Sequence, residues 1–371
     1  NISTLKKEEK VALRLRNIYE AFGYRKYNMS RFEEYSFYMD YKSFLPSDRI
    51  ISFTDMDGKL LALKPDVTLS IVKNAKELKD SVEKLYYIEN VYKPDKNSGK
   101  FKEISQIGLE AMCPIDSYTT LEVINLAIKS LDALEDDFVL DLSHIGIVMG
   151  LLNSEQLKTC DCKDKILECI VSKNLHDLNK LMEKCDVSND LRKKFEMLIT
   201  IGGTLGEALD TISKIVVDEE TEKAYQELES VYQSLIGTPY ENKVKVDFSI
   251  INDVNYYCGI IFQGYVRQVP HMILSGGRYD LLLQKLGKDV GAIGFALAMD
   301  DLQLYYPEDK LIDADAVILY DKEADAKKLY AAVESLTKKG LKVKAQTSLN
   351  DGMKYGKLYR FVAGKLEEAN V

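Results

Sequence analysis

Val11, Leu15, Ile18 and Phe22 recur at the three-to-four spacing of one helix face, and Gly23 follows as a natural stop. The pattern predicts a helix over residues 6–22. In RIISFTDMDGKLLALKPD (49–66) two apolar runs flank Asp57-Gly58, so a hairpin with a type I′ turn is expected. A helix should start near Val67. The segments YYIENVY (86–92) and SQIGLE (105–110) read as strands on either side of a basic loop, and a long helix should run through TTLEVINLAIKSLDAL (119–134).

DFVLDLSHIGIVMGLL (137–152) reads as a buried strand followed by a helix. Residues from about 150 to 240 are rich in lysine and glutamate with helical periodicity, which predicts an inserted helical subdomain. Strands return in KVKVDFSIINDVNYYCGIIFQGYV (243–266). LSGGRYDLLLQKLG (274–287) reads as a glycine turn and a helix, and VGAIGFALAMDDLQLY (290–305) as a strand that becomes a helix. Past Pro307, ADAVILYD, EADAKKLYAAVESLTKKG and LKVKAQTS form a β-α-β unit. The expected organisation is a core of residues 1–310 with a helical insert at about 150–240, followed by a small α/β domain at 312–371.

Composition changes this picture little. The 371 residues suit two or three domains, and 46% hydrophobic residues with 7 prolines suit a folded core. A net charge of −9 argues against a polyanion as the default partner. No run of 18 apolar residues appears and the amino-terminal stretch lacks an apolar signal core, so a cytoplasmic protein without a membrane partner is expected. Of the six cysteines, Cys160, Cys162 and Cys169 invite a metal reading but lack paired Cys-x-x-Cys spacing. Reduced, partly buried cysteines and no metal are expected.

Four places carry candidate chemistry. Asp66 and Thr68 are two apart after Pro65 and point the same way if the strand continues. They hold an ammonium group or, more simply, cap the next helix. Gln106 and Glu110 share one face of an apolar strand, where they need either a polar ligand or an internal network. Tyr256 and Tyr257 point to opposite faces of a strand, so only one should meet a given cleft. Gly276-Gly277 allows a close backbone approach ahead of Tyr279.

In order, ALKPDVT, GKFKEISQIGLE, IINDVNYYCG, GGRYDLLLQKLG and GAIGFALAMDDL resemble the motifs of histidyl-tRNA synthetase, a class II aminoacyl-tRNA synthetase. The resemblance covers about residues 5–305 apart from the insert. It implies an α+β fold with a six-to-seven-stranded antiparallel sheet flanked by helices, and a histidine pocket on that sheet. The family's histidine-binding residues match Asp66, Thr68, Gln106, Glu110, Tyr257 and Tyr279.

The family's ATP machinery is not matched. The arginine on the α-phosphate falls at Tyr92, the acid on adenine at Pro94, the arginine that promotes adenylate formation at Asn252 and the arginine on the γ-phosphate at Asp301. The first-motif proline falls at Ser30. Removing one charge-stabilising donor costs about 10²–10³ in rate. Lys100 and Lys102 lack the bidentate fork of arginine. The resemblance therefore implies a non-catalytic regulatory subunit of ATP phosphoribosyltransferase, without cofactor or tRNA. It would bind L-histidine, pair as a homodimer through residues 6–35 and join a short-form catalytic subunit. An active synthetase and a stand-alone histidine-binding module are the rival readings.

Overall fold

The structure is a computed structural model that describes residues 7–45, 49–75, 82–95, 98–158, 160–251, 256–300, 305 and 312–369. Two compact units are present, one over Glu8–Tyr306 and one built on Pro307–Val371. In the first, α1 (Lys7–Ala21) leads to β1 (Arg25–Lys26), β2 (Phe32–Glu34), α2 (Tyr35–Asp40), β3 (Ser52–Thr54), β4 (Leu60–Leu63) and α3 (Thr68–Asn74). The long strands β5 (Glu83–Pro94) and β6 (Phe101–Cys113) follow, then α4 (Ser117–Asp132), β7 (Phe138–His144) and α5 (Ile145–Leu152). The insert supplies α6 (Lys163–Val171), α7 (Leu175–Lys184), α8 (Asn189–Thr200), α9 (Leu205–Ile215) and α10 (Glu219–Leu235). β8 (Val244–Val246), β9 (Ile260–Val266), β10 (Leu274–Arg278), α11 (Asp280–Lys285) and β11 (Gly291–Ala298) close the unit.

Eight strands form the main sheet in the order β1-β5-β6-β11-β10-β9-β7-β8. The six inner strands are antiparallel, as the resemblance implied. The short β1 and β8 add parallel edges. Both are joined to their neighbours through long connections that contain helices, which parallel pairing requires. α4 packs against this sheet because Val123, Ile124, Ala127, Ile128 and Leu131 form a buried face. Its start is set by Asp116, whose carboxylate accepts the Thr119 N–H at 2.7 Å.

Three local expectations change. β3 and β4 pair with Thr54 opposite Leu60, but the turn is not type I′. That turn needs positive φ at both central residues, whereas Gly58 (φ 82) has it and Asp57 does not. Asp55 captures the Asp57 and Lys59 N–H groups at 3.0 and 2.8 Å, which widens the loop to five residues. Second, Gly276-Gly277 lies inside β10 and not in a turn. Third, Cys160 and Cys162 are joined as a disulfide rather than reduced, because the chain brings both to the entry of α6. Cys169 is buried and free. Most of the helix expected after β11 lies outside the described residues.

The second unit contains β12 (Ala314–Tyr320), α12 (Ala326–Thr337), β13 (Val343–Gln346), β14 (Tyr355–Val362) and β15 (Lys365–Glu368). β12 runs parallel to β13 and β14, and α12 covers a small core of Ala316, Ile318, Leu336 and Phe361. Asp325 caps α12 by accepting from the Lys327 and Lys328 N–H groups.

Candidate functional site

β6 is the backbone of the site. Gln106 and Glu110 lie on one of its faces, and their β11 partners are Ala298 and Gly294. Directly paired residues share a face, so Tyr87 (opposite Gly108) and Lys93 (opposite Lys102) point the same way from β5. Asp66 and Thr68 come from the β4–α3 junction. The chain is not extended there, since β4 stops at Leu63 and α3 starts at Thr68. Asp66 accepts the Leu69 N–H at 2.9 Å, so the helix-cap reading holds while both residues also face the cavity. Tyr279 stands where β10 passes into α11.

These elements enclose a cavity of about 210 Å³. Asp66, Thr68, Gln106, Glu110, Tyr257 and Tyr279 all line it, joined by Phe44, Tyr87, Lys93, Tyr256 and Ser275. Drug-sized ligands occupy clefts of about 300–1,000 Å³, so this volume suits something smaller. Tyr256 was expected on the opposite face from Tyr257. Both line the cavity because they precede β9 in a non-strand segment, and their ring centroids are 4.7 Å apart.

Glu110 is 1% exposed. One carboxyl oxygen accepts the Thr68 hydroxyl at 2.7 Å and the other accepts the Tyr279 hydroxyl. The side chain fits because β11 offers Gly294 beneath it. A Cβ on Gly294 would stand 1.8 Å from the Glu110 carboxyl oxygen. Burial pushes the Glu110 carboxyl up to about 8, against the two hydroxyl donors and with a smaller push from the Asp66 charge. Burial also lifts the Tyr87, Tyr256 and Tyr279 phenols well above their usual range, so they are neutral donors. The carboxyl and amino side chains on the wall, among the described residues, are Asp66, Glu110 and Lys93. Such a wall can receive a cation at Asp66, hydrogen-bond a polar ligand at the Glu110 carboxyl and receive an anion at Lys93.

The positions read as departures from the synthetase pattern fall differently. Tyr92 has the wrong strand parity for the cavity, and its hydroxyl donates to Glu103 at 3.0 Å. Its neighbour Lys93 takes the inward place. Alternation along β5 from Leu85 carried that signal, and it was missed. Pro94 ends β5 opposite Phe101. Ser30 precedes β2 and its hydroxyl accepts the Phe32 N–H at 3.3 Å. Lys102 pairs with Asp95 at 2.6 Å. Asn252 and Asp301 lie outside the described residues.

The family model for histidyl-tRNA synthetase matches residues 2–302. The chain is 30% identical over 287 residues to an ATP phosphoribosyltransferase regulatory subunit of Alkaliphilus metalliredigens, covering 76% of this chain and 72% of that one. It is 28% identical over 321 residues to the protein of the same name from Oceanobacillus iheyensis, covering 85% and 78%. Among solved structures it resembles an ATP phosphoribosyltransferase regulatory subunit/histidyl-tRNA synthetase from Bacillus halodurans, with TM-score 0.77, 22% identity and coverage of 94% and 93%. It also resembles the ATP phosphoribosyl transferase (HisG:HisZ) complex from Thermotoga maritima, with TM-score 0.62, 19% identity and coverage of 78% and 96%. At those identities the two structures speak for the fold.

Proposed function

The chain belongs to the histidyl-tRNA synthetase family and, within it, to the regulatory subunits of ATP phosphoribosyltransferase, and from that membership we propose that its cavity binds free L-histidine as a feedback signal to a short-form catalytic subunit. One observation carries the reading: the six residues matched to the family's histidine-binding set line a single small cavity. Glu110 and Gln106 orient the imidazole, Asp66 and Thr68 the ammonium group, and Tyr257 and Tyr279 form walls. Lys93 adds a cation for the ligand carboxylate. No ATP is activated and no tRNA is charged on this reading, and the protein works in the cytoplasm. Among the described residues no helix is long and apolar enough to cross a membrane.

A homodimer is part of the proposal. Phe32, Phe53 and Leu60 are exposed on the small β2-β4-β3 sheet, and Phe32 and Phe53 stack edge to face at 5.7 Å. An exposed apolar patch of this kind suits an interface.

Titration of L-histidine by calorimetry, with and without the catalytic subunit, tests the reading. A ligand of about eleven heavy atoms at roughly half the best per-atom efficiency reaches about −8 kcal/mol, or micromolar affinity. Glu110→Ala should weaken binding by about 1–3 kcal/mol. An unchanged dissociation constant would place the histidine site elsewhere. Histidine-dependent exchange of pyrophosphate into ATP would favour the synthetase reading instead.

A further inference from the structure

Three cysteines converge in the helical insert. Cys162 opens α6, its carbonyl accepting the Ile166 N–H at 2.9 Å. Cys160 stands two residues earlier, with its own N–H on the Leu157 carbonyl at 3.2 Å. Cys185 ends α7, its N–H on the Leu181 carbonyl at 3.0 Å, and Asp186 then turns the chain at φ 52. The three sulphurs lie within 4.8 Å of one another, and Cys185 Sγ is 2.7 Å from Cys162 Sγ. All three side chains are half-buried against the main core.

Packing alone does not account for this grouping. A cysteine used as a small hydrophobe needs no sulphur neighbour, and Cys169 on α6 is buried in that simpler way. A disulfide accounts for two sulphurs and leaves the third. The Cys160–Cys162 bond also spans a sequence separation of only 2, so it ties no helix to another. Cys185 is 23 residues from Cys162 and sits on a different helix.

We propose that, once reduced, Cys160, Cys162 and Cys185 form a three-thiolate site for a soft divalent cation of the Zn²⁺ type, which clips the start of α6 to the end of α7. Reduction breaks the Cys160–Cys162 bond with two electrons and two protons, supplied either by two thiols that leave joined as their disulfide or by a phosphine and a water molecule that leave as the phosphine oxide. Three thiols then give up three protons to bind the ion. Thiolates favour such ions over harder ones. Zinc–sulphur bonds of about 2.3 Å put tetrahedral ligand sulphurs about 3.8 Å apart, so Cys162 and Cys185 must part by about 1 Å. Both sit at helix ends, where side-chain rotation achieves this without unwinding a turn. Among the described residues no histidine, aspartate or glutamate joins the trio, so water takes the fourth position.

The test uses the full chain, reduced with a phosphine under argon. Cobalt(II) serves as the coloured probe, and zinc is titrated against a colorimetric chelator. The expected result is one cobalt per chain with thiolate-to-metal charge-transfer absorption, displaced by zinc, and a higher unfolding midpoint with zinc. Cys185→Ser and Cys160→Ser should each weaken zinc binding by about tenfold or more, whereas Cys169→Ser should leave it unchanged. If Cys185→Ser fails to fold, Cys160→Ser decides, since its position lies outside the helices. Absence of the charge-transfer band in the reduced wild type would overturn the proposal, and so would full zinc affinity in Cys160→Ser.

Discussion

With its carboxyl pushed up to about 8, Glu110 holds a proton in the folded chain that the unfolded chain gives up near 4.5. Between those values the native state binds more protons, so this group's stabilising contribution is present below pH 4.5 and is lost as pH rises toward 8. Each pK unit is worth about 1.4 kcal/mol. Urea unfolding at pH 5 and pH 8 should therefore show a loss of stability in wild type that Glu110→Gln largely removes; equal losses in both would exclude Glu110 as the source. Gly294 supports the same carboxyl. Gly294→Ala forces a Cβ into the Glu110 oxygen, and overpacking of that kind costs about 1–3 kcal/mol. Both the unfolding midpoint and histidine affinity should drop, and a variant with wild-type affinity would show that the carboxyl can move aside freely. Glu110 and Gln106 were legible from strand parity alone. Lys93 was not, because the motif match falls on its neighbour Tyr92, whose strand parity turns it away from the cavity.

Helix ends explain much of the insert's order. Asp218 accepts the Thr221 N–H at 2.8 Å, and the Thr221 hydroxyl in turn accepts the Asp218 N–H at 2.9 Å. Thr221 is fully buried where α10 meets α5, close enough that a Cβ on Gly150 would stand 2.2 Å from its methyl group. Asp218→Ala should cost about 1–2 kcal/mol, seen as a lower urea midpoint, while calorimetry returns an unchanged histidine affinity. A loss of histidine binding equal to that of Glu110→Ala would instead tie the insert to the pocket. α1 was readable from spacing because it buries one stripe, Val11, Leu15 and Tyr19, whereas α4 was readable as a long apolar helix that is buried on most of its sides. The β3–β4 turn was misread because Asp55, outside the two-residue signal, captures the turn's N–H groups. The strand through Gly276-Gly277 was misread because glycine marks a turn and a close backbone approach equally well. Here a Cβ on Gly276 would meet the Gly294 carbonyl at 2.4 Å.

At the scale of the whole molecule, a regulator acts only through states that its ligand distinguishes. Useful feedback of about 5–150-fold needs a coupling of about 1–3 kcal/mol, and binding couplings are reciprocal. Light scattering should report a multiple of the 42.1 kDa chain alone and a larger species with the catalytic subunit. On that species, substrates of the partner should weaken histidine affinity by the factor with which histidine weakens theirs. A strict monomer that ignores the partner would contradict the assembly. The hairpin of β5 and β6 offers a route for such coupling, with Lys93 on the cavity wall and Asp95 beyond it holding the Ser98 N–H at 2.7 Å. The cavity has one more property. Tyr87, Tyr256, Tyr257 and Tyr279 surround it, and the chain has no tryptophan among its 371 residues. Near-ultraviolet circular dichroism of this protein is thus free of indole bands, and the rings held most rigidly dominate it. A ligand that fixes four phenols at once would write its occupancy into that spectrum, so the unlabelled protein carries its own optical gauge.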